Sequence, residues 1–209
     1  MNNSYFFLDH PLIKRDITIL RDKSTSTEFF RSAVKRISNI LAVEIAKSFP
    51  LKSFDVETPL ERTKGYKVDQ EIVLIPILRA GLGMVSGFIE VIPEAKVGHI
   101  GLKRDENTLI PIEYYYKTPS DISNAFVILL DPMLATGGSA SEAVNYLKRK
   151  GAKQIAFSCL VAAPEGLKKI SELHPDVKIF GAALDRQLNE RGYILPGLGD
   201  AGDRTFGTF

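Results

Sequence analysis

The chain has 209 residues, 44% of them hydrophobic and 25% charged, which is enough apolar mass for one substantial core and points to a single domain over 1–209. Its 27 basic and 25 acidic side chains leave a formal charge of +2, too small an excess to draw in nucleic acid or an anionic membrane, so any phosphate recognition has to be local. The single cysteine, Cys159, excludes an intrachain disulfide and fits a reducing, cytoplasmic setting, and His10, His99 and His174 stand at no metal-ligand spacing.

Residues 5–8 form a short apolar patch ended by Asp9, and no later stretch reaches the apolar length that spans a bilayer. Thr25-Ser26-Thr27-Glu28 reads as a capping box opening the first helix, which continues through Phe30, Ala33, Val34, Ile37 and Leu41 to about Pro50. Residues 51–69 are polar and irregular, with Pro59 and Gly65, and suit an extended arm or hairpin outside the core. Ile72-Val73-Leu74-Ile75 is a β-branched run of the kind a strand covered on both faces requires, and an apolar helix over 82–90 follows it. Further strand-like runs lie at 96–100, 110–116, 126–130, 155–161 and 177–182. Helices separate the last three. One spans 139–150, with Lys148-Arg149-Lys150 in its last turn and Gly151 as terminator, and the other opens on Pro164. Alternating strands and helices predict an α/β fold with an open parallel sheet, helices on both faces, and ligands at the carboxyl ends of the strands.

The stretch Asp131-Pro132-Met133-Leu134-Ala135-Thr136-Gly137-Gly138-Ser139 falls at such a place, between a strand and a helix. Gly137 and Gly138 let backbone amides face inward, Thr136 and Ser139 add hydroxyls, and the helix N-terminus supplies positive potential for a phosphate. There is no Gly-Lys-Ser/Thr, which argues against a nucleoside-triphosphate P-loop. Asp131 would repel a phosphate unless it faces something else, and a sugar diol is the natural partner. A purely structural turn with Ser139 as N-cap uses the same residues. Arg79, in Ile75-Pro76-Ile77-Leu78-Arg79-Ala80-Gly81, stands among apolar residues and calls for an anion, either a ligand or an internal salt bridge. Lys103-Arg104-Asp105-Glu106 is a mixed charge run at a third strand end, where only position singles out Arg104. The C-terminal Gly197-x-Gly199-x-x-Gly202 matches a dinucleotide fingerprint in form, but with seven residues left it lacks the helix and strand that such a unit needs. Its glycines can instead bring backbone groups against a small flat ligand, with Asp200 nearby. Tyr193, Ile194, Leu195, Leu198 and Phe206 argue against a disordered tail.

Taken in order, residues 76–84, 131–139, 161–166 and 192–207 resemble the uracil phosphoribosyltransferase family over nearly the whole chain. The resemblance implies a type I phosphoribosyltransferase-like open parallel sheet with flanking helices, a small arm at about 51–69 and a uracil-binding C-terminal hood at 185–209. It implies transfer of the phosphoribosyl group of phosphoribosyl pyrophosphate to uracil. It assigns residues 131–139 to the ribose hydroxyls and 5-phosphate, Arg79 and Arg104 to the pyrophosphate, and Ile194, Gly199, Asp200 and Ala201 to uracil. Asp200 is placed near the donor and its metal, and Asp200, Arg79 and Arg104 form the catalytic set. Magnesium is the implied cofactor, carried mainly by the donor rather than by protein ligands. A homodimer or homotetramer is implied, with a purine nucleotide such as GTP as effector in some relatives and no nucleic-acid or membrane partner. Related phosphoribosyltransferases usually have two adjacent acids where this chain has Asp131-Pro132, which disfavours purine-type substrates. Lys103 departs from the aromatic residue common in relatives. The rival reading is a regulatory protein of the same fold that senses phosphoribosyl pyrophosphate without useful catalysis.

Overall fold

The computed structural model of the protein describes residues 5–104 and 111–209, without the side chains of residues 103–104 and 111–113. In chain order the elements are β1 (Tyr5–Phe7), α1 (Pro11–Arg21), α2 (Thr27–Ala46), β2 (Leu51–Glu57), β3 (Arg62–Val68), β4 (Ile72–Leu78), α3 (Leu82–Val91), β5 (Lys96–Val97), β6 (His99–Arg104) and β7 (Pro111–Lys117). There follow β8 (Phe126–Leu130), β9 (Met133–Leu134), α4 (Gly138–Arg149), β10 (Gln154–Ala162), α5 (Pro164–Leu173), β11 (Lys178–Leu184), β12 (Gln187–Leu188), β13 (Ile194–Leu195) and α6 (Ala201–Phe206).

The main sheet runs in the order β1-β11-β10-β8-β4-β6-β7, parallel throughout except for β7, which lies antiparallel to β6. Helices cover both faces, which is why the central strands read as unbroken apolar runs. Ile72 and Leu74 of β4 pack with Phe30, Ile37 and Leu41 of α2, whereas Val73 and Ile75 turn to the opposite face with Leu147 of α4 and Ile170 of α5. The apolar patch at the N-terminus is an edge strand, with Tyr5 opposite Ile179 of β11. No helix among the described residues is long and apolar enough to cross a membrane.

Two local expectations change, and a third resolves between its alternatives. A helix precedes the first one expected: α1 buries Ile13, Ile17 and Leu20, but its stripe also contains Asp16. That carboxylate is fully buried and meets Arg36 at 2.8 and 2.9 Å and Arg15 at 3.0 and 3.1 Å. Burial alone would raise the Asp16 pKa, but these two guanidinium groups hold it below the ordinary carboxylate range. Helix α2 opens on the expected cap, with the Ser26 hydroxyl accepting from the Phe29 N–H at 3.4 Å, but it ends at Ala46 and not near Pro50. The segment 51–69, expected as an extended arm or hairpin, is an antiparallel hairpin, β2 against β3 from Leu51↔Val68 to Glu57↔Arg62, and most of both strands is exposed.

Candidate active site

The carboxyl ends of β4, β8 and β10 meet at one edge, and the loop after β8 is held there by main-chain bonds. The Asp131 N–H donates to the Ser158 carbonyl at 3.1 Å. The Pro132 carbonyl accepts from both Leu160 and Val161 N–H groups at 3.1 and 3.0 Å. Ala163 N–H donates to the Leu134 carbonyl at 2.9 Å, so the loop is fixed to β10 for its first four residues. It then turns sharply into α4. The N-cap is Gly137, at φ 74°, and not Ser139, so the purely structural use of the Ser139 hydroxyl is set aside. A left-handed residue at that point suits glycine. At the α4 N-terminus Thr136 is exposed and Gly138 and Ser139 are half-buried, with the Thr136 hydroxyl accepting from the Gly138 N–H at 3.4 Å, and a helix start so placed offers positive potential to an anion. Gly166, at the start of α5, lets that helix close on the loop, since a Cβ there would stand 2.5 Å from the Ala135 carbonyl oxygen.

Asp131 lines a cleft of about 270 Å³ together with Ala80, Met133 and Ala135 on one wall and Gly192, Tyr193, Ile194, Gly199, Asp200, Ala201 and Gly202 on the other. Burial raises the Asp131 carboxyl to about 7, and only the Met133 N–H, 3.3 Å away, works in the opposite direction. Among the described residues no cation pairs with this carboxyl, a setting that suits hydroxyl donors. Burial, and then the nearby Asp131 charge, also push up the pKa of the Cys159 thiol on β10, leaving it an unreactive core residue.

The second wall is built by the last 25 residues, 185–209. Asp200 caps α6, its Oδ1 accepting from the Asp203 N–H at 2.9 Å. Among the described residues nothing takes its other oxygen or the N–H groups of Gly199, Asp200 and Ala201. Arg79 is more than half exposed, not embedded in apolar surroundings, and it is paired: Nη2 lies 3.2 Å from Asp203 Oδ1 and Nη1 3.5 Å from the Thr208 hydroxyl. Arg104 ends β6, but its side chain lies outside the described residues. Pro132, Leu134 and Gly137 are buried, so within 131–139 the residues left at least partly exposed are Asp131, Met133, Ala135, Thr136, Gly138 and Ser139.

Sequence reasoning passed over Arg21, Asp185 and Arg204. Arg21, at the end of α1, forks onto Asp185 and also reaches the Gly197 carbonyl at 2.8 Å. Arg204 binds the carbonyls of Leu20, of Leu198 at 2.8 Å and of Asp22 at 2.6 Å, with its guanidinium 4.5 Å from the centre of the Phe30 ring. The only local hint was an acid directly after the apolar β11. No group of three or more His, Cys, Asp or Glu side chains among the described residues could hold a metal ion.

A family model described as uracil phosphoribosyltransferase matches residues 7–208. A uracil phosphoribosyltransferase of Bacillus cereus (strain B4264) is 56% identical over 209 residues, the whole of both chains. The solved structure of the AQ2163 protein from Aquifex aeolicus superposes with a TM-score of 0.92 at 40% identity, covering 98% of each chain. At the level of fold alone, the adenine phosphoribosyl transferase of Trypanosoma brucei matches with a TM-score of 0.59 at 12% identity, over 87% of this chain and 84% of that one.

Proposed function

The chain belongs to the uracil phosphoribosyltransferase family, and we propose that it transfers the phosphoribosyl group of phosphoribosyl pyrophosphate to uracil, giving uridine monophosphate and pyrophosphate. The observation that carries this reading is the meeting, across one cleft, of the Asp131–Ser139 loop with a wall edged by the free N–H groups of Gly199, Asp200 and Ala201. Loop and wall stand where a sugar phosphate and a flat base can be held against each other.

In this mechanism the amides and hydroxyls at the α4 N-terminus take the 5-phosphate and Asp131 accepts from the ribose hydroxyls. Arg79 and Arg104 draw on the departing pyrophosphate. A uracil ring nitrogen forms the new bond to the anomeric carbon as the bond to pyrophosphate breaks, the electron pair of the broken bond leaves on pyrophosphate, and the ring N–H proton passes to solvent. Uracil offers acceptor, donor and acceptor along one edge, which main-chain N–H, C=O and N–H groups at Ile194 and residues 199–201 complement without side chains. Cytosine puts an amino donor where an acceptor is needed. The barrier is lowered by positioning two substrates and by stabilising charge as it develops. A magnesium ion suits this site when brought in on the donor. Asp200 has one carboxylate oxygen uncommitted at the cleft, enough for a single ligand, and the bound ion would neutralise charge on the leaving group.

The β2–β3 hairpin supports a homo-oligomer. Leu51, Phe54 and Tyr66 are exposed and Leu60 at its tip is 95% exposed, while a lone two-stranded ribbon is marginal in water. A second copy of the chain is the partner that would cover it. The deciding experiment incubates the protein with magnesium, phosphoribosyl pyrophosphate and uracil, cytosine, orotate or hypoxanthine in turn, with and without GTP. Uridine monophosphate from uracil alone is the expected result. Donor binding with no turnover of any base would favour the regulatory reading.

A further inference from the structure

We propose that Arg21 and Asp185 set the base specificity of the site, by fixing from behind the main chain that reads the base. This rests on the reading of the cleft above as the uracil pocket. Backbone recognition leaves no side chain to do the selecting, so discrimination depends on how firmly a few peptide groups are held in place, to within about 0.5 Å.

Residues 192–194 and 199–202 make one side of that cleft, and the turn that joins them is gripped at Gly197. The Asp185 side chain is 3% exposed, and its Oδ2 accepts from the Gly197 N–H at 2.8 Å and from Arg21 Nη1 at 2.9 Å, while Oδ1 takes Arg21 Nη2. Arg21 Nη1 also donates to the Gly197 carbonyl, so the N–H and C=O of one residue are both engaged by the same ion pair. Gly197 sits at φ 63°, and a Cβ there would stand 2.3 Å from the Ile194 carbonyl oxygen. The turn is therefore tight, and a displacement of Gly197 moves Ile194 on one side and Gly199 on the other. The anchor is itself rigid: α1 is fixed in the core by Ile13, Ile17 and Leu20, and Asp185 donates its own N–H to the Ala162 carbonyl at 2.8 Å.

A buried ion pair contributes little net stability compared with apolar packing of the same volume. What this pair supplies is geometry, a two-point fork that an ammonium or an amide does not reproduce. Arg21 and Asp185 do not line the cleft and act as positioning residues.

The test compares wild type with Arg21→Lys, which keeps the charge but loses the fork, and Asp185→Asn, which keeps an acceptor for the Gly197 N–H. For Asp185→Asn the uracil KM is expected to rise about tenfold and the kcat/KM preference for uracil over cytosine to fall about tenfold, while the donor KM moves less than twofold, with Arg21→Lys intermediate. A lower Tm with uracil KM and preference unchanged would leave the pair a merely structural feature and overturn the proposal, as would an equal rise in both KM values. If Asp185→Asn does not fold, Arg21→Lys decides on the same readouts. Wild-type protein that makes no uridine monophosphate would instead sink the functional reading, and the assay shows this before any variant is compared.

Discussion

With Asp131 assigned to the ribose as proposed, its raised pKa predicts a pH signature in donor binding. Its carboxyl is raised from 3.8 to about 7 by burial, a cost of ionisation of about 4 kcal/mol at most at 1.36 kcal/mol per unit, and less because the group opens on the cleft. To accept from ribose hydroxyls it must give up that proton. Donor affinity is therefore expected to fall as pH drops through 7, by about tenfold between pH 8 and pH 6, with close to one proton released on binding at pH 6. The donor's own phosphates titrate in this range as well, so the comparison is with Asp131→Asn: calorimetry in two buffers of different ionisation enthalpy isolates the carboxyl, because the ligand's contribution is common to both proteins. The sign for folding is opposite to that of an ion-paired carboxylate. The unfolded chain releases this proton near 3.8 and the unliganded folded protein near 7, so between those values the folded state holds more protons and loses stability as pH rises. Equal slopes and equal proton counts for wild type and Asp131→Asn would refute the assignment of Asp131 to the ribose.

Gly166→Ala places a Cβ 2.5 Å from the Ala135 carbonyl oxygen, so the phosphate loop or α5 must move; thermal unfolding should show a loss of about 1–3 kcal/mol, and the donor KM should rise more than the uracil KM. Asp200→Asn keeps the cap on α6 but removes the uncommitted negative oxygen, and turnover is expected to fall by about 10²-fold with donor affinity changed little; steady-state rates and direct donor titration decide, and unchanged turnover removes Asp200 from the mechanism. Replacing Leu60 and Tyr66 of the hairpin with Asp should shift sedimentation toward the monomer while the main-sheet fold, followed by circular dichroism, persists; an unchanged sedimentation coefficient would take the hairpin out of the interface.

The central fold is readable in the sequence because its signals are local. Strands β4, β8, β10 and β11 are covered on both faces and therefore run as continuous apolar stretches, and α4 advertises itself by its glycines, its apolar stripe and its basic last turn. Helix α1 is not readable in this way, because Asp16 interrupts the stripe at a buried position and makes sense only once Arg36 of α2 is brought opposite it. The hairpin shows the reverse problem. Its strands carry no continuous apolar face because most of their residues stay exposed and Val68, at the base, packs against the core, so the sequence leaves an extended arm and a hairpin both open.

The same division runs through the site. The phosphate loop was legible because a strand end, two glycines and a helix start lie within nine residues, and the chemistry they offer needs nothing from elsewhere. The base-reading wall was half legible: its glycines are visible in the sequence, but glycine permits many conformations and selects none. What selects one is an arginine 164 positions away from its aspartate, joined to the wall only by the folded chain. Arg79 lies between these cases. Its position at a strand end marked it for an anion, and within the chain that anion is Asp203 of the C-terminal segment. A pyrophosphate taking up Arg79 would have to compete with Asp203 and Thr208, so on the proposed reading the donor side of the cleft and the base side share a residue. Loss of the carboxylate in Asp203→Asn should therefore tighten donor binding if the two partners exclude each other, and weaken it if Asp203 holds Arg79 in place for the donor; direct titration of the donor separates the two.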